Sequence, residues 1–161
     1  MTEQGRLKNW AANVEARESM AIIRQALGKH GIRTVRFVAS TGGKRLDTLT
    51  FPLVVKDTLF QVRMTIDLDH VEDRVRESYG YRTLTDLLIK QVYRTAWANL
   101  RDFVLSALAA VDSNVSKLEE VFFAFIVANE QEKTFFQMFE ERLALPEPKV
   151  RQTSQVTIVE E

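Results

Sequence analysis

Apolar residues along this chain recur first with a helical period, then with a period of two, then with a helical period again, and those switches mark out its elements. Ala16, Met20, Ile23 and Leu27 are spaced by four, three and four, which predicts a first helix over Glu15 to Lys29. Gly31 can take the left-handed conformation behind it, and Ile32 can fold back onto Leu27, the usual closure of a glycine-capped helix. The preceding Leu7, Trp10, Ala11 and Val14 form an earlier turn of the same helix or a mobile arm. Alternation then takes over. Val35, Phe37 and Ala39 share one face of a strand over Thr34 to Ser40, with Arg36 and Val38 on the other. A turn at Thr41-Gly42-Gly43-Lys44 leads to a second strand, Arg45 to Val55, whose Leu49, Phe51, Leu53 and Val55 point one way. Pro52 lacks a ladder donor, which predicts that this strand has a free side and lies at an edge. Phe60, Val62, Met64, Ile66 and Leu68 alternate with Gln61, Arg63, Thr65 and Asp67 in a third strand, so the three form a meander with one buried face.

All six glycines lie before Tyr81, and no proline occurs between Pro52 and Pro146, so residues 81 to 145 contain neither helix breaker. A short helix over Val71 to Ser78, stopped by Gly80, precedes a long one from Thr83 to Asp112. The apolar arc of the long helix is wide, with a second stripe of Ile89, Tyr93 and Trp97 beside Leu88, Val92, Ala96 and Val104. A helix of that size is roughly 43 Å long against ~33 Å for a ten-residue strand, so other helices or another copy must cover what the sheet cannot. Capping boxes at Ser116 with Glu119 and Thr134 with Gln137 predict two shorter helices, to Asn129 and Leu145. The expected fold is therefore α+β: an N-terminal helix, a three-stranded antiparallel meander, a long helix and two shorter C-terminal helices. Residues 1 to 145 form the domain. Residues 146 to 161 form an extended or disordered tail, in which Val156-Thr157-Ile158-Val159 can pair with a sheet edge.

Composition narrows the function by exclusion. The longest wholly apolar run, Val121 to Ala128, is far short of a bilayer span, and no apolar signal region follows the polar N-terminus. A cytoplasmic protein with no membrane partner is expected. The chain has no cysteine, and its two histidines, His30 and His70, read as solvated turn residues. The remaining metal-type cluster, Asp67, Asp69, His70, Glu72 and Asp73, reads as a solvated strand exit, so no enzyme activity, metal or cofactor is expected. The Gly42-Gly43-Lys44 turn joins two strands and lacks the Gly-Lys-Ser/Thr of a phosphate loop.

Charge divides the chain. Residues 1 to 101 carry +6 and residues 102 to 161 carry −6. Arg36, Lys44, Arg45 and Arg63, on the outward sheet face and hairpin, make nucleic acid an alternative partner. The order helix, three strands, helix resembles a double-stranded-RNA-binding domain, but here Thr83-Leu84-Thr85-Asp86 stands where that family has lysines. Six of the ten phenylalanines fall between Phe122 and Phe139, and the adjacent pairs Phe122-Phe123 and Phe135-Phe136 cannot all face the core. Tyr93, Trp97, Phe122, Phe123, Phe135 and Phe136 are accordingly the expected protein interface, for self-assembly into a homo-oligomer or for another protein partner.

Arg94-Thr95-Ala96-Trp97-Ala98-Asn99-Leu100, the later Glu119 to Val127 segment, and Ser19 to His30 resemble uncharacterised conserved proteins carried by phages, prophages and other bacterial mobile elements. The resemblance implies a prokaryotic, intracellular accessory role and carries no activity with it.

Overall fold

The computed structural model describes residues 7–40, 43–79, 85–128 and 131–144. The chain is α+β in the order α1 (Ala16–Lys29), β1 (Arg36–Ala39), β2 (Leu46–Val55), β3 (Thr58–Asp67), α2 (Leu68–Tyr79), α3 (Asp86–Asp112), α4 (Leu118–Val121), a 3-10 turn (Phe123–Phe125) and α5 (Phe135–Ala144). Helix α1 ends as its sequence requires. Gly31 has φ +84, and the Ile32 amide donates to the Leu27 carbonyl at 3.1 Å, returning a buried Ile32 to the core.

The sheet is antiparallel with β2 in the middle, so the expectation that β2 is an edge strand is corrected. Its physical basis survives in part. β1 pairs with β2 only from Asp47 to Thr50, leaving Pro52 beyond the end of β1. Pro52 pairs with Gln61, whose carbonyl turns away to accept from Val127. Pro52 therefore also turns away from β3, and its missing N–H falls where no strand lies. Val55 and Thr58 pair across Lys56 and Asp57, both at positive φ, as a tight turn matched to strand twist needs.

Helix α3 is shared between two cores. Val104, Leu108 and Trp97 pack with Ile23 and Leu27 of α1 and with Leu49, Phe51 and Val62 of the sheet. Leu88, Val92 and Ala96 pack with Leu68 and Val75 of α2. Two further helices thus cover the wide arc. The linker helix begins at Leu68, directly after β3, because the Asp67 carboxylate accepts from the His70 amide and caps it. Thr85 caps α3 through the Leu88 amide; the expected start at Thr83 and the Gly80 stop lie outside the described residues.

The helix expected from Ser116 to Asn129 is also corrected. It ends after one turn, passes through the 3-10 turn, and becomes extended at Ile126, which bridges to Val62. The free edge of β3 offers the Gln61 carbonyl, and the Val127 amide takes it at 2.8 Å. A run of aromatic and β-branched residues gains more there than from continuing a helix that is apolar all round. Glu120, not Glu119, closes the helix start, accepting from Ser116 Oγ and the Lys117 amide. The expected tail, 146–161, lies outside the described residues.

Candidate protein-interaction surface

Helix α5 meets the larger core through Phe135, which is half-buried against it. A short connection returns from Val127 to Thr134, with the Ala128 amide on the Lys133 carbonyl at 2.8 Å and the Phe135 amide on the Ile126 carbonyl at 3.0 Å. The expected capping box then opens the helix: Thr134 Oγ1 accepts from the Gln137 amide, and Gln137 Oε1 accepts from the Thr134 amide at 2.9 Å. The helix packs on the 3-10 turn. Phe123 and Phe135 stack with centroids 4.7 Å apart and planes 9° apart.

Ten residues docked on a three-residue turn leave most of an amphipathic helix uncovered. Phe136, Phe139 and Leu143, at spacings of three and four, remain 52%, 57% and 69% exposed, and Phe123 beside them 55%. Phe123, Phe136 and Phe139, with Phe135, Met138 and Arg142, line a groove of about 490 Å³. A second groove of about 430 Å³ shares Phe123 and Phe135 and continues the apolar surface to Val55 and Phe60 at the β2–β3 turn. The first groove contains one cation, Arg142, which has no ion-pair partner among the described residues. Glu119 and Glu120 line the second groove, and Glu141 of α5 is paired to Lys133 at 2.6 Å.

The structure divides the six residues expected at an interface. Phe123 and Phe136 are exposed and Phe135 is half-buried, all on this surface. Trp97 and Phe122 are core residues instead. Phe122 is fully enclosed, edge-on to Phe51 at 5.2 Å. Trp97 is 1% exposed, edge-on to Phe37 at 5.4 Å, and its indole N–H donates to the Asp47 carboxylate at 3.1 Å. Tyr93 is half-buried between the two cores. Phe139, Met138 and Leu143 belong to the same exposed apolar surface.

The basic residues proposed for nucleic acid are largely neutralised. Lys44 pairs with Asp67 at 2.8 Å, Arg63 with Glu132 at 3.0 Å, and Arg45 with Asp69 at 2.6 Å and also with Glu72. Glu72 in turn binds Arg76 at 2.6 Å. Their partners hold the Lys44 and Arg45 pKa values up and those of Asp67 and Asp69 down. Three members of the acidic cluster are thus committed to tying the β1–β2 hairpin to the end of β3 and to α2, and only Arg36 of the four cations is left without an ion pair among the described residues. No helix among the described residues is long and apolar enough to cross a membrane. No protein family, curated protein or solved structure matches the chain.

Proposed function

We propose that the chain is a non-enzymatic self-assembly module in which the aromatic face of α5 meets the same face of a second copy. The observation that carries this reading is the uncovered stripe Phe136, Phe139, Leu143 with Phe123 beside it. Three phenylalanines about half exposed, with Met138 and Leu143, leave roughly 500 Å² of apolar surface per chain. Two copies brought together on this face bury about 1,000 Å², the threshold at which specific interfaces begin. Among the described residues of one copy, nothing covers it. Antiparallel apposition about Phe139 also sets Arg142 of one copy over the Phe136 ring of the other, a favourable cation–aromatic contact. The non-enzymatic part of the proposal is supported by the use of Asp67, Asp69, Glu72 and His30 in structural contacts. The cytoplasmic, mobile-element setting implied by the Arg94–Leu100 resemblance belongs to the same proposal, and neighbouring genes for particle components are its check.

Light scattering and sedimentation of the full chain test the interface. The wild type is expected as a dimer at micromolar concentration and Phe139→Glu as a monomer with unchanged circular dichroism, since Phe139 already faces water. A wild type that stays monomeric at high concentration overturns the proposal, as does a Phe139→Glu dimer.

A further inference from the structure

The sheet has a second unpartnered feature, independent of the α5 surface. Gln61 turns its carbonyl away from β2, so its partner Pro52 also turns away from β3. Thr50 and Thr48, in step with Pro52, therefore bond to Arg36 and Val38 of β1. By the same alternation Phe37 and Ala39 direct both their N–H and C=O groups outward from the sheet, and none of these has a partner among the described residues. An open edge of this kind, without a proline or a bulge, is a template for one more strand. Arg33 and Arg36 stand exposed beside it, with no ion pair among the described residues.

We propose that the chain's own C-terminal segment, Val156-Thr157-Ile158-Val159, adds to the β1 edge as a fourth, antiparallel strand. Its β-branched residues suit a strand, and it is followed by Glu160-Glu161. With Ile158 opposite Phe37 and Val156 opposite Ala39, all four open backbone groups of β1 are satisfied. Antiparallel direction then brings Glu160 and Glu161 to Arg33 and Arg36, whereas a parallel strand would carry the acids to the opposite end. Alternation places Val156 and Ile158 on the core face beside Phe37. Residues 145 to 155 reach up to about 36 Å extended, more than twice the ~14 Å radius of gyration of a domain this size, so the tail can reach any edge.

Amide hydrogen exchange on the full-length chain reads this directly. The Phe37 and Ala39 amides are expected to be protected on the order of 100-fold in the wild type. Ile158→Pro removes the donor that faces Phe37 without touching the domain, and should return both amides to near the unprotected rate at dilute and concentrated protein alike. Arg36→Glu should weaken the protection, and adding Glu160→Lys with Glu161→Lys should restore it. Unprotected Phe37 and Ala39 in the wild type, or protection that survives Ile158→Pro, overturns the proposal. Protection that appears only at high concentration also overturns it, by assigning the edge to the tail of a second copy. Protection indifferent to Arg36→Glu overturns the antiparallel direction.

Discussion

Replacing Trp97 by Phe separates two contributions that meet at one buried point. The indole is enclosed between α3 and the inner sheet face, and its N–H is the donor to Asp47, itself 4% exposed. Phe keeps the edge-on contact with Phe37 but sheds the second ring and the donor. Loss of buried ring atoms, with the void they leave, costs about 1–2 kcal/mol. Leaving a buried carboxylate without its donor costs about 2–3 kcal/mol more. Trp97→Phe should therefore destabilise by about 3–5 kcal/mol, a large part of the ~5–15 kcal/mol typical of a domain. Asp47→Val in the same chain removes the orphaned charge, so Trp97→Phe/Asp47→Val should be more stable than Trp97→Phe alone, by about 2 kcal/mol. Urea unfolding followed by circular dichroism at low protein concentration measures the wild type, Trp97→Phe, Asp47→Val and the double variant. The pH dependence has a definite sign. Burial pushes the Asp47 carboxyl above its usual range, opposed by the indole hydrogen bond. Without the indole it rises further, so the Trp97→Phe penalty should be full above the folded Asp47 pKa and shrink as pH falls through it. A double variant less stable than Trp97→Phe, or a penalty that does not change with pH, would refute the account.

Two other contacts make independent predictions. His30 places Nδ1 2.9 Å from the Ala26 carbonyl and Nε2 2.8 Å from Asp112, two acceptors that only the doubly protonated ring can satisfy, and the Ala26 bond followed by Asp112 raises its pKa against partial burial and Lys29. Its contribution to stability is then fully present below about pH 6.5 and lost as pH rises through the higher folded value; Asp112→Asn should flatten that loss in thermal unfolding, and an unchanged slope would count against it. Asn9, at φ 60, donates to Asn99 and Asp102 at 3.0 Å each, and with Arg101 and Lys8 holds the Asp102 pKa down at about 2. Asn9→Ala should cost about 1–3 kcal/mol in strain and lost bonds and raise the Asp102 pKa measured by NMR titration, so that its stabilisation, present above about pH 4 and lost as pH falls toward 2 in the wild type, is diminished. An Asp102 titration unchanged in Asn9→Ala would show that the other partners suffice.

Local pattern and turn chemistry determined much of this protein. Ala16, Met20, Ile23 and Leu27 fixed the face of α1, Gly31 fixed its end, the period-two run in β3 fixed its buried side, and Thr134 with Gln137 fixed the start of α5. Each is an interaction within a few residues, and so is written locally. What crossed from one element to another was decided by tertiary structure. The Pro52 strand lies in the centre because β1 is too short to reach the proline, and the segment after Phe122 leaves its helix because β3 presents a free carbonyl at Gln61. Trp97 turns inward because Asp47, fifty residues earlier, offers it an acceptor, while Phe136 and Phe139 stay exposed because the 3-10 turn beneath α5 is too short to cover them. Lys44, Arg45 and Arg63 read as a basic surface until the fold brings Asp67, Asp69, Glu72 and Glu132 beside them. Periodicity tells which side of an element is apolar, but the partner and how much of that side it covers depend on distances that the order of residues alone does not contain.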